Sequence, residues 1–546
     1  MKKIFIVFLG WVLAVGAVAA NAGTRIEITG PDLGVRMVEN QELLTDNPNL
    51  MAWTQTNQGE RFYLCKTLED SICTNAANIR ATSFLAPCSA SIVQNCVKSL
   101  YAVDETGKRF EGIFNRYVAD GSANEFPANE KVNLPLGRGQ GGIWNIPGLK
   151  NGAGNEDYYV GARFDLWAKF GGGRIYENFY PSRMITGISP VSTKLGDFGI
   201  NYSVDSTNPA SDGSLNGGVG SGNNSKDGSW KNCVVTEVGK CYMAADFPQG
   251  YRFGLTLKLG STIKGWFHGR IYQPIISVKT ESTGGAEEIT VEALPVIVPT
   301  IEERVPASEI TPELKTFLQN HEVSNGFGYV MPEASEPLSF EHTKLWIPIL
   351  KDKATKSLTY WSVRTLGNIN DPVIANCTKS DGALSGIVTT NSLVYNAGPP
   401  EFDKTKQKLT YKVLSTHFAA DGSIAKGTYD LILSSTVARC IYKFTSAPIS
   451  ASLTILSEDG SPQVATQTIN EKNGWLTLSA AGFTYSSPTI AVKLTQDKAA
   501  AATPTPSSKT PSWAQSKKTI TCVKGKVKKQ VSGFNPKCPI GYKKAA

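Results

Sequence analysis

Tyr251, Phe253, Leu255, Leu257 and Leu259 alternate with Arg252, Gly254, Thr256 and Lys258, a period of two that suits an extended strand with one face buried. The same beat returns at Leu409, Tyr411 and Val413, and Ala438, Cys440, Tyr442 and Phe444, interleaved with Arg439 and Lys443, are read the same way. Between such runs stand Asp120-Gly121, Asp421-Gly422, Asp459-Gly460 and Asn473-Gly474, pairs that tolerate the positive φ of tight hairpins. The pattern predicts an all-β chain of two antiparallel β-sandwich-like domains. The immunoglobulin signature is missing, because no tryptophan lies between Cys377 and Cys440.

Composition breaks suggest the domain order. The acid- and proline-rich stretch "TESTGGAEEITVEALPVIVPTIEERVPASEITPEL" is read as a connector, its core placed at residues 291–338, between N-terminal β structure at 23–290 and a C-terminal sandwich at 339–498. Within it Thr311 as cap, Pro312 at the first position and Glu313 in the first turn predict a short helix over 312–320. A Pro/Ala/Thr/Ser linker follows at 499–515, then a small basic disulfide hairpin tail at 516–546.

The first 22 residues predict the compartment. Lys2 and Lys3 precede an apolar run from Ile4 to Val18, which ends at Ala20-Asn21-Ala22, the layout of a secretory signal peptide. No later run is long enough to span a bilayer. The ten cysteines agree with export: Cys65 and Cys73, Cys88 and Cys96, and Cys233 and Cys241 lie close in sequence, while Cys377 with Cys440 and Cys522 with Cys538 form plausible longer pairs. Five disulfides are expected, although Cys65, Cys73, Cys88 and Cys96 allow three connectivities. Zinc is disfavoured, since no CxxC pair exists and His268, His321, His342 and His417 are scattered.

Net charge is +8, and nine lysines with no acid fall between Lys517 and Lys544. Without those nine, and without Lys2 and Lys3, 44 basic residues face 47 acidic ones. The body is near neutral and offers nothing to nucleic acid. Any polyanion contact belongs to the tail.

Three stretches, "KGTYDLILSSTVARCIYKFTSAPISASLTILSEDGSPQVATQTINEKNGWLTLSAAGFTYSSPTIAVKL", "FPQGYRFGLTLKLGSTIKGWFHGRIYQPIISV" and "CVKGKVKKQVSGFNPKCPIGYKK", resemble recurring segments of uncharacterised secreted β-rich proteins of actinobacteria that carry a Lys-rich two-cysteine tail. The likeness is confined to those segments. It implies export and a β fold and names no catalytic residue; for the tail it implies attachment or sorting.

Other motifs reduce to architecture. Gly137, Gly139 and Gly142 fit GxGxxG but lack the flanking strand and helix of a dinucleotide site, and a mobile surface loop is expected. Ser261 to Lys264 match SxxK, but they follow a strand and are read as a hairpin turn. Asp205, Asp212 and Asp227 lie in a Gly/Ser/Asn-rich run that could offer oxygens to calcium, yet their spacing fails the regular loop; a loosely ordered surface loop is expected, and no cofactor. Glu111, Glu156, Asp157 and Asp165 are available carboxylates that no spacing selects.

In "STIKGWFHGRIYQP", alternation places Lys264, Trp266, His268, Arg270 and Tyr272 on one face, and Ile263, Gly265, Phe267, Gly269 and Ile271 on the other. Aromatic planes beside cations suit a glycan, especially a carboxylated or phosphorylated one. The opposing expectation is that Trp266 and Tyr272 cover a second layer while Lys264 and Arg270 reach past it. The sequence therefore suggests an exported cell-envelope protein that binds a glycan or partner without catalysis, its tail on an anionic envelope surface. The alternatives are a secreted carbohydrate-active hydrolase with loop-borne carboxylates and a structural surface-layer component.

Overall fold

A computed structural model describes residues 25–38, 48–56, 59–118, 124–171, 174–175, 178–196, 233–237, 239–263, 265–280, 286–323, 325–326, 329–332, 338–366, 376–377, 384–396, 398–445, 449–456, 462–463, 466–485, 489–496, 518–533 and 537–545. The amino-terminal apolar run, the calcium candidates Asp205, Asp212 and Asp227, Lys264, the Ala499–Gln515 linker and the Asp120-Gly121 and Asp459-Gly460 pairs lie outside them. The described chain is mostly β, with few helices and several antiparallel sheets. No described helix is long and apolar enough to cross a membrane.

The chain divides after Gln496 into two units. In the first, a long sheet runs Gly59–Cys65, Asn49–Thr56, Asn78–Phe84, Asp157–Gly171, Tyr180–Leu195, Ser362–Leu366, Gly265–Arg270, Leu384–Thr390, Lys426–Ser434, Trp475–Thr484 and Thr466–Lys472. It interleaves strands from both halves of the sequence. The expected boundary between two domains at 291–338 is thus replaced by shared pairing: Gly265–Arg270 is antiparallel to Ser362–Leu366 and parallel to Leu384–Thr390.

The alternating run Arg252–Leu259 is the central strand of a second sheet, between Glu287–Leu294 and Cys96–Val103. Phe253, Leu255, Leu257 and Leu259 bury against Ile79, Phe164, Ile188, Phe267 and Ile387 of the long sheet. A third sheet, with Lys408–Leu414 and Thr489–Gln496, closes a second core on Leu431, Leu433, Leu476 and Leu478. Removing this apolar surface from water supplies the main driving force for stacking the sheets.

The expected connector is itself β structure. Glu287–Leu294 buries Glu287, Ile289, Val291 and Ala293 on alternate positions, and its acids answer bases on neighbouring strands: Glu288 Oε2 with Lys98 Nζ at 2.5 Å, Glu292 Oε1 with Arg252 Nε at 2.9 Å. Val296–Pro306 then pairs with Asp32–Met37 and with Lys356–Tyr360. The predicted helix is present as Pro312–Asn320, its first turn closed by the Leu314 N–H donating to Thr311 Oγ1 at 3.3 Å.

Three local expectations change. Residues 435–442 form a helix, Ser435–Tyr442, because Val437, Ala438, Ile441 and Tyr442 are the buried set and their spacing is helical. The glycine-rich segment is a packed one, with Gly137 bridged to Phe126 and buried, followed by strand Gly142–Asn145 rather than by a helix. Residues 260–263 carry the chain from the second sheet to the long one instead of turning a hairpin. Gly260 N–H donates to Asn95 Oδ1 at 2.8 Å and Ile263 N–H to Glu287 Oε2 at 2.5 Å. Asn473-Gly474 does form the expected tight turn, both residues at positive φ, between Thr466–Lys472 and Trp475–Thr484.

Disulfides join Cys65 to Cys73, Cys88 to Cys96, Cys377 to Cys440 and Cys522 to Cys538. Cys241 is also disulfide-bonded, and no free cysteine occurs among the described residues. The four early cysteines thus pair locally. The second unit holds a three-stranded sheet, Val527–Gly533, Lys518–Lys524 and Lys543–Lys544.

Candidate functional site

The tail sheet is built around one covalent staple. Gly525 at positive φ and Lys526 turn Lys518–Lys524 back on Val527–Gly533, and Cys522, fully buried, bonds Cys538. Register then distributes the charge. Lys529 and Lys544 both lie opposite Cys522, while Lys528 and Lys543 both lie opposite Val523. Residues paired across strands share a face, so each face carries two lysines about 10 Å apart across the central strand. Lys524, Lys526, Lys528, Lys529, Lys537, Lys543 and Lys544 are all exposed, and residues 517–546 contain no acid. Like charges held on neighbouring strands oppose sheet formation. The disulfide offsets that cost, leaving a compact cationic surface that can meet anionic groups on either side.

The sequence reading placed its recognition face elsewhere, and the structure closes that face. Trp266, His268 and Arg270 do share one side of Gly265–Arg270, with Phe267 and Ile271 on the other, but each of the three is only 1 % exposed. Trp266 packs into the second core with Val388, Leu431 and Leu433. The His268 ring lies on Tyr395, centroids 3.7 Å apart. Arg270 sits with its guanidinium carbon 4.5 Å from the Tyr395 centroid, and its Nη1 donates to the carbonyls of Thr390 at 3.0 Å and Ser392 at 2.5 Å. Arg364 Nη2 donates to the Tyr395 hydroxyl. Burial, then the charges of Arg270 and Arg364, hold the His268 imidazole well below its usual range, so it is neutral at physiological pH. Tyr272 is half-buried on the next strand. The face is therefore an internal polar seam and no open strip. Of the two glycines on the opposite face, Gly269 allows close approach, since a Cβ there would meet Ile271 Cγ1 at 2.7 Å. Gly265 has open space around it and instead serves its φ of +99°.

The same side of the long sheet carries a charged cluster that the sequence reading touched only through Asp165. Asp165 is 2 % exposed. It accepts from Arg163 Nη2 at 3.0 Å and Thr82 Oγ1 at 3.0 Å, with Arg183 Nη1 at 3.9 Å. Burial pushes its carboxyl up, but the fields of Arg163, Arg80 and Arg183 and the Arg163 hydrogen bond outweigh that and hold it below the usual carboxylate range. An ionised, saturated carboxylate is a poor proton donor. Glu111 is ion-paired with Arg109 at 2.5 Å, and Glu156 accepts from the Gly148 N–H at 3.0 Å. The signal for the cluster was Arg163, Asp165 and Trp167 alternating with Phe164 and Leu166, a period of two with charge where one face should be solvated.

No group of His, Cys, Asp and Glu suited to a metal ion occurs among the described residues. No protein-family model, no curated protein and no solved structure matches the chain.

Proposed function

We propose that this chain is an exported, cell-envelope-associated binding protein without catalysis, held on an anionic surface polymer by its C-terminal sheet. The observation that supports this most directly is the exposure of Lys524, Lys526, Lys528, Lys529, Lys543 and Lys544 on a disulfide-stapled sheet without acids. Phosphate-bearing wall polymers and anionic phospholipid headgroups share the chemistry that such a surface recognises. The formed disulfides fit an oxidising compartment, and the amino-terminal apolar run supplies the export signal in this reading.

The test is sedimentation of the mature full-length chain with immobilised polyphosphate, with anionic vesicles and with neutral vesicles. The variant carries Lys524→Gln, Lys526→Gln, Lys528→Gln and Lys529→Gln. Retention by the anionic materials that the variant loses supports the proposal. Equal retention of both proteins, or retention by neutral vesicles, overturns it.

A further inference from the structure

Arg80 occupies the middle of Asn78–Phe84, opposite Met51 on one neighbouring strand and Trp167 on the other. It is 9 % exposed, and its Nε is enclosed with no acceptor. Asp165 feels its charge but takes its hydrogen bonds from Arg163 and Thr82 instead. A guanidinium cannot shed its proton, so enclosing its Nε–H without an acceptor is costly. Trp53 repeats the pattern beside it, with an indole N–H that is enclosed and unpartnered. Both side chains meet one ring: Trp53 and Trp167 are edge-on with centroids 5.4 Å apart, and the Arg80 guanidinium carbon is 5.7 Å from the Trp167 centroid. Trp53 and Trp167 are themselves only half-buried.

We propose that this corner binds an acidic saccharide. The carboxylate or sulfate of the sugar accepts from Arg80 and from the Trp53 indole N–H, and its ring lies against Trp167. Two unpartnered, enclosed donors call for an anionic acceptor. The half-exposed indole planes around them favour one attached to a ring over a bare ion. The site belongs to the first unit and does not depend on the tail.

The test titrates the full-length chain with oligogalacturonate, a neutral galacto-oligosaccharide and inorganic sulfate, following tryptophan fluorescence and heat. The four tail lysines are replaced by glutamine in a parallel series, so that binding by the tail is separated from binding by the body. Saturable binding of oligogalacturonate that survives tail replacement, and falls at least tenfold in Arg80→Gln and in Trp167→Phe, is expected. Arg80→Lys should recover part of the loss, and Trp167→Phe keeps a readout if Arg80→Gln does not fold. Binding unchanged in both variants, no saturable binding to the body, equal binding of the neutral sugar, or sulfate binding as tight as the oligosaccharide and indifferent to Trp167→Phe would each overturn it.

Discussion

The His268 ring lies flat on the Tyr395 ring, 3.7 Å between centroids and 3° from parallel, with the guanidiniums of Arg270 and Arg364 beside the same tyrosine. A proton added to His268 would stand next to two cations in an enclosed seam. The unfolded chain takes up that proton near pH 6.5 and the folded chain does not. The stability is present above pH 6.5 and is lost progressively as pH falls below it. His268→Phe keeps a stacking plane and removes the proton, so its urea midpoint should change less between pH 7 and pH 5 than that of the unsubstituted chain. Identical changes would contradict the seam's role.

Glu287 makes the opposite demand. It is 2 % exposed, with Oε1 unpartnered, and burial, eased by the Ile263 N–H, pushes its carboxyl up to about 7. The folded state holds the proton more tightly than the unfolded chain. That stabilisation is complete below the ordinary glutamate range and is lost as pH rises through about 7. Glu287→Gln should match the unsubstituted chain at pH 4 and be more stable at pH 8, by on the order of 2 kcal/mol. Thermal melts at the two pH values check this.

The Cys377–Cys440 bond spans a sequence separation of 63 and ties the Ser435–Tyr442 helix to a distant segment. Replacing both cysteines by serine should cost about 4 kcal/mol, on the loop-entropy model. Hydrogen exchange should accelerate first in residues 435–442. Uniform acceleration across the unit, with no local excess, would show that the bond does not anchor the helix.

A Cβ on Gly137 would fall 2.1 Å from Phe126 Cε1, and Phe126 is itself buried. Gly137→Ala should therefore lower stability by about 2 kcal/mol. Combining it with Phe126→Leu should return part of the loss, a coupling that a double-mutant cycle measures.

Strands whose neighbours needed no long-range information were legible. Arg252–Leu259 and Lys408–Leu414 announce themselves by alternation, Thr311-Pro312-Glu313 by cap chemistry and Asn473-Gly474 by turn chemistry. What escaped was set by partners far along the chain. Glu288 and Glu292 looked like linker composition, because Lys98 and Arg252 supply their countercharges only once the sheet is formed. Trp266, His268 and Arg270 kept their predicted common face, but alternation cannot say whether a second layer covers it. Here Tyr395, Tyr411 and Val413 of the third sheet do. Ala438, Cys440, Tyr442 and Phe444 fall on every second position, yet Ser435–Tyr442 is helical over eight residues, so a short window picks the wrong period.

The reading of the tail turns on charge, and salt dependence reads charge most directly. Binding of the mature full-length chain to polyphosphate should weaken steeply between about 50 and 500 mM salt, by roughly one unit of log–log slope for each ammonium that displaces a counterion. Replacing Lys524, Lys526, Lys528 and Lys529 by glutamine should remove most of that slope. A slope near zero in the unsubstituted chain, or one that survives the four replacements, would place the attachment outside the cationic sheet.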